Sequence, residues 1–345
     1  MLRLPRFRYM APTQISEAAR ILASEGADAM LLAGGTDLFP NMKRRQQTPA
    51  TVVALRDVER MREIGSGHCL TIGAGITLTE IVQSDLIRSR HAGLWQAAAQ
   101  VASPQLRNMA TVGGNLCLDT RCNYYDQTLE WRKAIDFCMK KDGEVCWVAP
   151  GSPKCLAVSS TDTAPALVSL RAKVKLTAAD GDRMIRLEDL YANDGIHYLT
   201  KDHGEILTLV ELDQVDDWKS TYWKLRRRGS IDFPVLGVAA SAKFADDGTV
   251  ENCRVVLGAV SSAPIRALKA DAALIGNRLS DDVIAQAAEA GSKVAKPMDN
   301  TDFTLHWRKK VAARFVTYAL RELRGDDMRE MRSRVARHDL EAVGV

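Results

Sequence analysis

The stretch Thr111-Val112-Gly113-Gly114-Asn115, followed by five cysteines between positions 117 and 155, decides how the rest of this chain is interpreted. The two glycines let a ligand approach bare backbone amides, as in loops that hold nucleotides. Five of the chain's seven cysteines lie in this short segment. A glycine turn beside clustered cysteines predicts two cofactors close together, and electron transfer is the chemistry that usually needs such a pair.

A second glycine turn lies upstream, in the sequence Ala33-Gly34-Gly35-Thr36-Asp37-Leu38. The apolar run 29–33 predicts a buried strand before it, and residues 39–45 are compatible with a helix after it. A strand, a Gly-Gly turn and a helix start are typical of an anion site. For a Gly-Gly pair alone, a bare turn without a ligand is the simpler interpretation. Two such turns fit one ligand with two phosphates better than either fits alone.

The composition describes an ordinary globular protein of two or three domains. The chain has 345 residues, with 46% hydrophobic and 26% charged side chains. Its net charge of +4 is too small to predict a nucleic-acid partner. No apolar run approaches the roughly 18 residues that span a bilayer, and residues 1–12 alternate arginine with apolar residues instead of forming a signal peptide. We therefore expect a cytoplasmic protein without a membrane segment.

Turn and helix patterns divide the remainder of the chain. Asp180-Gly181 and Asp246-Asp247-Gly248 each predict a hairpin, and Thr77 is expected to begin a helix. The polar segment 213–217 predicts a domain boundary. Helices are expected at 269–275, 281–294 and 304–323, and the charged residues after them lack a useful apolar face, which predicts a loosely held tail.

The cysteine spacing by itself leaves three interpretations open. Cys122, Cys138, Cys146 and Cys155 are separated by fifteen, seven and eight residues, without the close pairs typical of zinc ribbons and bacterial ferredoxins. An iron–sulfur cluster, a structural zinc site and plain buried cysteines remain comparable alternatives. The other three cysteines are left out of the ligand set, because Cys117 follows the glycine turn directly and Cys69 and Cys253 lie in strand-like runs.

Four motifs in order resemble one known family. They are Gly-Gly-Thr-Asp-Leu at 34–38, Thr-Val-Gly-Gly-Asn at 111–115, Ser-Thr-Asp-Thr-Ala-Pro-Ala-Leu at 160–167 and Trp-Lys-Leu-Arg-Arg-Arg at 223–228. Over nearly the whole chain, their order is similar to that of the FAD-binding medium subunits of the xanthine oxidase family of molybdenum hydroxylases. Four motifs in one order are far more specific than any of them alone.

The resemblance implies an α+β architecture. It predicts a PCMH-type (vanillyl-alcohol-oxidase-like) FAD-binding fold of two subdomains, 1–57 and 58–217, with a cysteine-rich [4Fe-4S] insertion at about 117–158. A C-terminal domain of antiparallel strands and a helical bundle, similar to that of the CO dehydrogenase flavoprotein, is expected at 218–325. Residues 326–345 then form the charged tail.

The resemblance also implies which residues bind FAD. The expected residues are Ala33, Gly34, Gly35, Thr36, Asp37, Leu38, Thr77, Thr111, Gly114, Asn115, Asp162, Leu207 and Lys224. Among them, Asp162 is expected to accept hydrogen bonds from cofactor hydroxyls, and Lys224 to reach toward the flavin ring. The alternative for Lys224 is a solvated basic strand end. Residues 193–198 depart from the Gly-Pro-rich link usual in the family, which leaves the surroundings of the ring open.

About forty residues separate the second and third motifs, where ordinary family members have almost none. This insertion is similar to that of the 4-hydroxybenzoyl-CoA reductases in the family, which implies a [4Fe-4S] cluster on Cys122, Cys138, Cys146 and Cys155. The implied assembly is a dimer of heterotrimers. In it, a large subunit holds the molybdenum cofactor and a small subunit holds two [2Fe-2S] clusters.

The implied function is electron transfer, with no catalytic residue on this chain. Electrons from a ferredoxin-like donor would reach molybdenum on the partner, where 4-hydroxybenzoyl-CoA is reduced to benzoyl-CoA, as expected in anaerobic degradation of aromatic compounds. One alternative is the FAD/[4Fe-4S] subunit of an aldehyde- or purine-oxidising member of the family. The other is a zinc-stapled scaffold protein without a redox role.

Overall fold

The strands of this protein form three separate sheets, one for each successive part of the chain. A computed structural model describes residues 2–213 and 217–337. The predicted boundary at residue 57 falls between the first two sheets. Of the polar segment 213–217, residues 214–216 lie outside the described residues.

The first sheet contains three parallel strands with β3 in the centre. Its elements are β1 (Arg8–Met10), α1 (Ile15–Glu25), β2 (Ala29–Leu32), α2 (Leu38–Lys43) and β3 (Thr51–Ala54). Parallel neighbours need a crossover, which α1 and α2 supply. Since β2 ends at Leu32, the first glycine turn lies between β2 and α2, as the sequence predicts.

The second sheet is antiparallel and has the strand order β4-β5-β8-β6-β7. Its strands are β4 (Ile64–Ser66), β5 (Cys69–Gly73), β6 (Lys173–Ala178), β7 (Gly181–Arg186) and β8 (Ile206–Asp213). Between β5 and β6 lie α3 (Leu78–Gln83), α4 (Asp85–Arg90), α5 (Ala92–Ala99), α6 (Pro104–Arg107), α7 (Val112–Leu116), α8 (Leu129–Ala134) and α9 (Thr163–Ser169). The hairpin predicted at Asp180-Gly181 joins β6 to β7 and is confirmed.

Two predicted threonines act as helix caps. Thr77 begins α3 with a capping box, in which its hydroxyl accepts from the Glu80 amide and Glu80 accepts from the Thr77 amide at 2.8 Å. Thr111 begins α7, and its hydroxyl accepts from the Gly114 amide at 3.0 Å. These caps satisfy amides that the first turn of each helix leaves unpaired. Since Thr77 and Thr111 also pair in an isolated bridge, the two helix starts are held side by side.

The cysteine-rich insertion is a lobe closed at its base. Arg121 and Val158 exchange two backbone hydrogen bonds of 2.8 Å, so the chain leaves and returns at one point. Within the lobe, α8 is followed by Asp136 and Phe137, which both have positive φ angles near 58°. Two successive residues in this sparsely populated region turn the chain sharply into Cys138.

The third sheet is antiparallel, with the strand order β12-β11-β10-β9. Its elements are β9 (Trp218–Leu225), β10 (Leu236–Phe244), β11 (Val250–Gly258), β12 (Ile265–Arg266), α10 (Leu268–Leu274), α11 (Asp281–Ser292), α12 (Leu305–Arg324) and α13 (Arg329–Ala336). The hairpin predicted at 246–248 joins β10 to β11, and three predicted helices correspond to α10, α11 and α12.

The charged segment after α12 is more ordered than we predicted. Its first part forms α13, and Arg332 on this helix donates to Glu322 of α12 and to the Tyr222 carbonyl of β9. Charge pairing and the packing of Met331 and Val335 against the core of the C-terminal domain together hold the helix in place. Residues 338–345 lie outside the described residues.

The C-terminal sheet packs on helices of the first 213 residues. Ser220 on β9 accepts from the Gly93 amide of α5 at 3.0 Å, and Ser241 on β10 donates to the Ser169 carbonyl of α9 at 2.6 Å. Ser241 and Ser169 are buried. Among the described residues, no helix is long and apolar enough to cross a membrane.

Candidate functional site

A cavity of about 830 Å³ opens where the two glycine turns face the C-terminal domain. Twelve of the thirteen residues predicted for FAD line it: Ala33, Gly34, Gly35, Thr36, Asp37, Leu38, Thr77, Thr111, Gly114, Asn115, Asp162 and Leu207. The exception is Lys224. Residues before and after the predicted boundary at position 57 therefore meet around one cavity, which is large enough for a dinucleotide-sized ligand.

The two glycine turns are in direct contact. A Cβ built on Gly34 would lie 1.9 Å from the Met109 carbonyl oxygen, just before the second turn. Gly35 has a φ of +72°, a region that disfavours other residues. A Cβ on Gly114 would lie 3.4 Å from the Cβ of Ala33. Glycine is thus required at 34 by space and at 35 by backbone conformation.

The first turn presents free amides to the cavity. Within the described part of the chain, the amides of Gly34, Gly35 and Thr36 donate no hydrogen bond to another backbone group. Amides without an internal partner need a ligand or water. The Ser160 hydroxyl is also buried without a hydrogen-bond partner among the described residues, and Ser160 lines the same cavity. These groups fit the phosphates and hydroxyls of FAD.

Asn115 connects the second turn to the Ser-Thr-Asp motif. Its side-chain oxygen accepts from the Thr161 hydroxyl at 2.8 Å and from the Thr163 hydroxyl at 2.6 Å. Asn115, Thr161 and Thr163 are all buried. The predicted residue therefore holds two motifs together, which fixes the position of the neighbouring Asp162.

Asp162 forms a buried group with two residues of β9. One of its oxygens accepts from the Tyr222 hydroxyl at 2.7 Å and the other from the Lys224 ammonium at 2.9 Å. Burial raises the pKa of Asp162, and the Lys224 charge opposes that effect. Burial likewise lowers the pKa of Lys224, and Asp162 opposes this. The ion pair compensates both desolvated charges.

Lys224 does not line the cavity, and its approach to a flavin ring stays a prediction. Its ammonium group donates to Asp162 and, at 3.0 Å, to the Gln100 carbonyl, and its side chain is fully buried. It is not a solvated strand end either. The structure places this charge behind Asp162, so its action on a ligand would pass through that carboxylate.

Several residues of the wall have no motif that could have identified them. Charged examples are Arg44, Arg56, Arg62, Asp119, Arg121, Asp126, Lys201, His203 and Asp232. Arg121 pairs with Asp37 of the first turn and with Asp126 at 3.0 Å, and lies 4.7 Å from the ring centre of Phe233. Because its carboxylate is engaged by Arg121, Asp37 is placed to offer its backbone to a ligand. Among the lining residues left out of the prediction, Gly113 and Ser160 did carry a sequence signal, since Gly113 lies in the second motif and Ser160 begins the third.

The four predicted cysteine ligands lie around one small cavity in the lobe. Its lining includes Tyr125, Lys140 and the four cysteines Cys122, Cys138, Cys146 and Cys155. Each of the four cysteines is 5–7% exposed. All four are free thiols. The space between them is about 10 Å³, so a bulky group would require the cysteine-bearing loops to move apart. Cys117, left out of the predicted ligand set, lines the large cavity instead.

The cysteine thiols are buried, and a bound metal would change their protonation. Burial raises the pKa of Cys122 to about 12, against backbone hydrogen bonds from Tyr124 and Tyr125. Burial also raises the pKa of Cys155, opposed by the Ala157 amide and the charge of Lys140. Thiols of this kind stay protonated until a metal displaces the proton. Among the described residues, no group of three or more His, Cys, Asp or Glu could hold a metal ion as arranged.

Comparison with known proteins gives the family. Residues 5–213 match the model of the FAD binding domain in molybdopterin dehydrogenase, and residues 220–323 match that of the CO dehydrogenase flavoprotein C-terminal domain. The aldehyde oxidoreductase FAD-binding subunit PaoB of Escherichia coli is 33% identical over 78% of this chain and 86% of its own length. The glyceraldehyde dehydrogenase medium chain of Sulfolobus acidocaldarius is 25% identical over 89% of this chain and 95% of its own length.

Solved structures agree with the fold. The carbon monoxide dehydrogenase of Hydrogenophaga pseudoflava is similar with a TM-score of 0.76, covering 92% of this chain and 97% of that chain at 24% identity. The quinoline 2-oxidoreductase of Pseudomonas putida is similar with a TM-score of 0.74, covering 93% of this chain and 98% of that chain at 22% identity. Both family models together span nearly the entire described chain. The chain therefore belongs to the family of FAD-binding medium subunits of the molybdenum hydroxylases.

Proposed function

We propose that this chain is the electron-transfer subunit of a molybdenum hydroxylase, with FAD in the large cavity and a [4Fe-4S] cluster on Cys122, Cys138, Cys146 and Cys155. The observation that carries the proposal is the convergence of these four thiols in a lobe directly beside the flavin cavity. Lys140 lines the cysteine cavity, and its ion partner Asp119 lines the other. This ion pair thus connects the walls of the two cavities.

The groups that line the large cavity suit FAD. Free amides at 34–36 would hold the pyrophosphate, and the orphaned Ser160 hydroxyl would pair with a polar group of the cofactor. The buried group formed by Asp162, Tyr222 and Lys224 would fix the wall from the side of the C-terminal domain. When bound, FAD supplies one- and two-electron transfer. The residues of this chain bind it, orient it and exclude water from it.

The donor set of the lobe is four cysteine thiols, and both a [4Fe-4S] cluster and a structural zinc ion are bound by four thiolates. Among the described residues, the thiols as arranged form no group that holds a metal ion. The resemblance of this segment to the insertion of the 4-hydroxybenzoyl-CoA reductases is what favours the cluster over zinc. Backbone donors already approach Cys122 and Cys155, and such bonds stabilise charged sulfur ligands.

The partners follow from family membership. We propose a large subunit with the molybdenum cofactor and a small subunit with two [2Fe-2S] clusters, assembled as a dimer of heterotrimers. The substrate would bind the large subunit, because no catalytic residue is proposed on this chain. Medium chains of carbon monoxide dehydrogenases from Hydrogenophaga pseudoflava and Afipia carboxidovorans, 24% and 26% identical, support this arrangement.

For the reaction of the complex, three candidates remain. The segment 117–158 resembles the insertion of the 4-hydroxybenzoyl-CoA reductases, whose reductive dehydroxylation needs a low-potential donor of the ferredoxin type, but an oxidising family member with a cluster in this subunit fits the segment as well. Aldehyde oxidation has the support of a named relative, since the aldehyde oxidoreductase subunit PaoB is 33% identical. Purine oxidation is supported less, because the xanthine dehydrogenase subunit of Escherichia coli is 23% identical.

Assay of the assembled complex separates these candidates. The complex purified with its partner subunits is given 4-hydroxybenzoyl-CoA with a reduced low-potential donor, and separately benzaldehyde or xanthine with an artificial acceptor. The reductive proposal predicts benzoyl-CoA formation and turnover of neither oxidisable substrate. Rapid oxidation of benzaldehyde without benzoyl-CoA formation would contradict it and establish the aldehyde candidate.

A further inference from the structure

Lys140 is a buried cation in the partition between the two cavities. Its side chain is only 6% exposed, although lysine is seldom buried without a specific reason. It lines the cysteine cavity, whereas Asp119, Tyr198 and Leu118 on the other side of the partition line the flavin cavity. The lysine lies two residues after Cys138, so the chain that carries the cysteine also carries the charge.

Every hydrogen of the ammonium group has a short contact. The Lys140 nitrogen lies 2.8 Å from the carboxylate of Asp119, 2.7 Å from the hydroxyl of Thr120 and 2.6 Å from the carbonyl of Gly195. It also lies 4.7 Å from the ring centre of Tyr125 and 5.4 Å from that of Tyr198. Three acceptors and two aromatic faces fix the charge at one point.

The same contacts hold the cation against the cysteines. Gly195, which accepts from Lys140, also approaches Cys155, since a Cβ built on it would lie 2.6 Å from the Cys155 sulfur. Tyr125 donates to Asp119 at 3.0 Å and lines the cysteine cavity itself. A low-dielectric site makes such a fixed charge effective.

We propose that Lys140 is a positioning residue that raises the reduction potential of the group held by Cys122, Cys138, Cys146 and Cys155, with Asp119 moderating its charge. Reduction adds negative charge to that group, and a nearby cation stabilises the reduced form. The inference deepens the proposed function and rests on it. It also gives the ion pair a role that packing alone does not require, because a buried pair adds little to stability.

Potentiometric titration of the assembled complex, followed by paramagnetic resonance of the cluster, tests the proposal. Lys140→Met is expected to change the ratio of reduced to oxidised cluster at a fixed potential by roughly tenfold toward the oxidised form. This corresponds to about 59 mV for a one-electron couple. Asp119→Asn removes the opposite charge and is expected to shift the ratio the other way. The double variant should lie between the two.

Lys141→Met is the matched control. It removes the same charge one residue away, where the side chain is 36% exposed and pairs with Asp142. We expect it to shift the ratio less than twofold. A merely structural Lys140 would lower the melting temperature of the variants without moving the potential.

The outcomes separate the two proposals. A wild-type complex without the cluster signal overturns the proposed function, and the role of Lys140 falls with it. A wild-type complex with the cluster, together with an unshifted potential in Lys140→Met or a downward shift in Asp119→Asn, overturns the role of Lys140 alone. Opposite shifts in the two single variants support it, even if one of them assembles poorly.

Discussion

Gly34 shows how a single missing side chain builds the flavin cavity. Its Cα faces the Met109 carbonyl so closely that any Cβ would lie 1.9 Å from that oxygen. Real Cβ atoms do not approach backbone this closely, so one of the two glycine turns must move. The turns belong to different sheets of the protein, and their contact holds the two halves of the cavity together.

Gly34→Ala is therefore expected to abolish stable FAD binding while leaving the C-terminal domain folded. Displacing the first turn moves three free amides away from the cofactor phosphates. The measurement is flavin absorbance per chain after purification and gel filtration. Gly67→Ala is the control, because no atom lies within 4 Å of its built Cβ. Flavin at wild-type occupancy in Gly34→Ala would contradict the cavity described here.

For single residues, the sequence predicts local patterns well and long-range contacts poorly. The Gly-Gly turns and helix-capping threonines are local, and all of these predicted positions reach the cavity. Lys224 was placed on the correct strand, but its contact with Asp162 spans 62 positions of chain. The Gly195 contact with Cys155 likewise depends on packing, and it gives a physical reason for the departure from the usual link at 193–198.

The last helix, α13, is held in place by charge pairing in addition to the packing of Met331 and Val335. Glu322 of α12 accepts from the Trp223 indole at 2.8 Å and from Arg332 of α13 at 2.9 Å. Burial alone would raise the pKa of Glu322, but the bonds from Arg332, Thr221 and Trp223 hold it below the ordinary 4.5. The sequence suggested a loose tail because hydrophobic periodicity does not reveal a helix bound by arginine.

Glu322→Gln is expected to lower the free energy of unfolding by about 1–3 kcal/mol at neutral pH, because it weakens charge-assisted hydrogen bonds. The folded pKa is lowered, so the stabilisation is fully present above the unfolded value of 4.5. It is lost as the pH falls through the lower, folded pKa. Thermal melting of wild type and variant between pH 7 and pH 3 should therefore show two curves that converge below about pH 4.5.

The control for this variant is Glu330→Gln on α13. Among the described residues, Glu330 pairs with Arg334, and its side chain is 77% exposed. Exposed pairs contribute about 0–1 kcal/mol. A difference between Glu322→Gln and wild type that stays constant down to pH 3 would show that the carboxylate charge is not what holds α13.

Across the whole molecule, the lobe is a closed segment between α7 and α9. Its ends meet in the Arg121–Val158 bridge, and Asn300 of the C-terminal domain contacts it through the Asn123 amide and the Leu156 carbonyl. The sequence predicted its existence from the gap between two motifs. It did not predict that the lobe rests on the C-terminal domain, since those contacts connect residues more than a hundred positions apart.

The most direct test of the central claim is the iron and flavin content of the complex purified with its partner subunits, normalised to molybdenum. The account predicts one FAD and about eight iron atoms per heterotrimer, four in two [2Fe-2S] clusters and four in the cluster of this chain. Replacing Cys138 and Cys146 with serine should reduce the iron to about four and leave the flavin in place, whereas Cys69→Ser should change neither. About four iron atoms in the wild-type complex, or undiminished iron in the double variant, would contradict it.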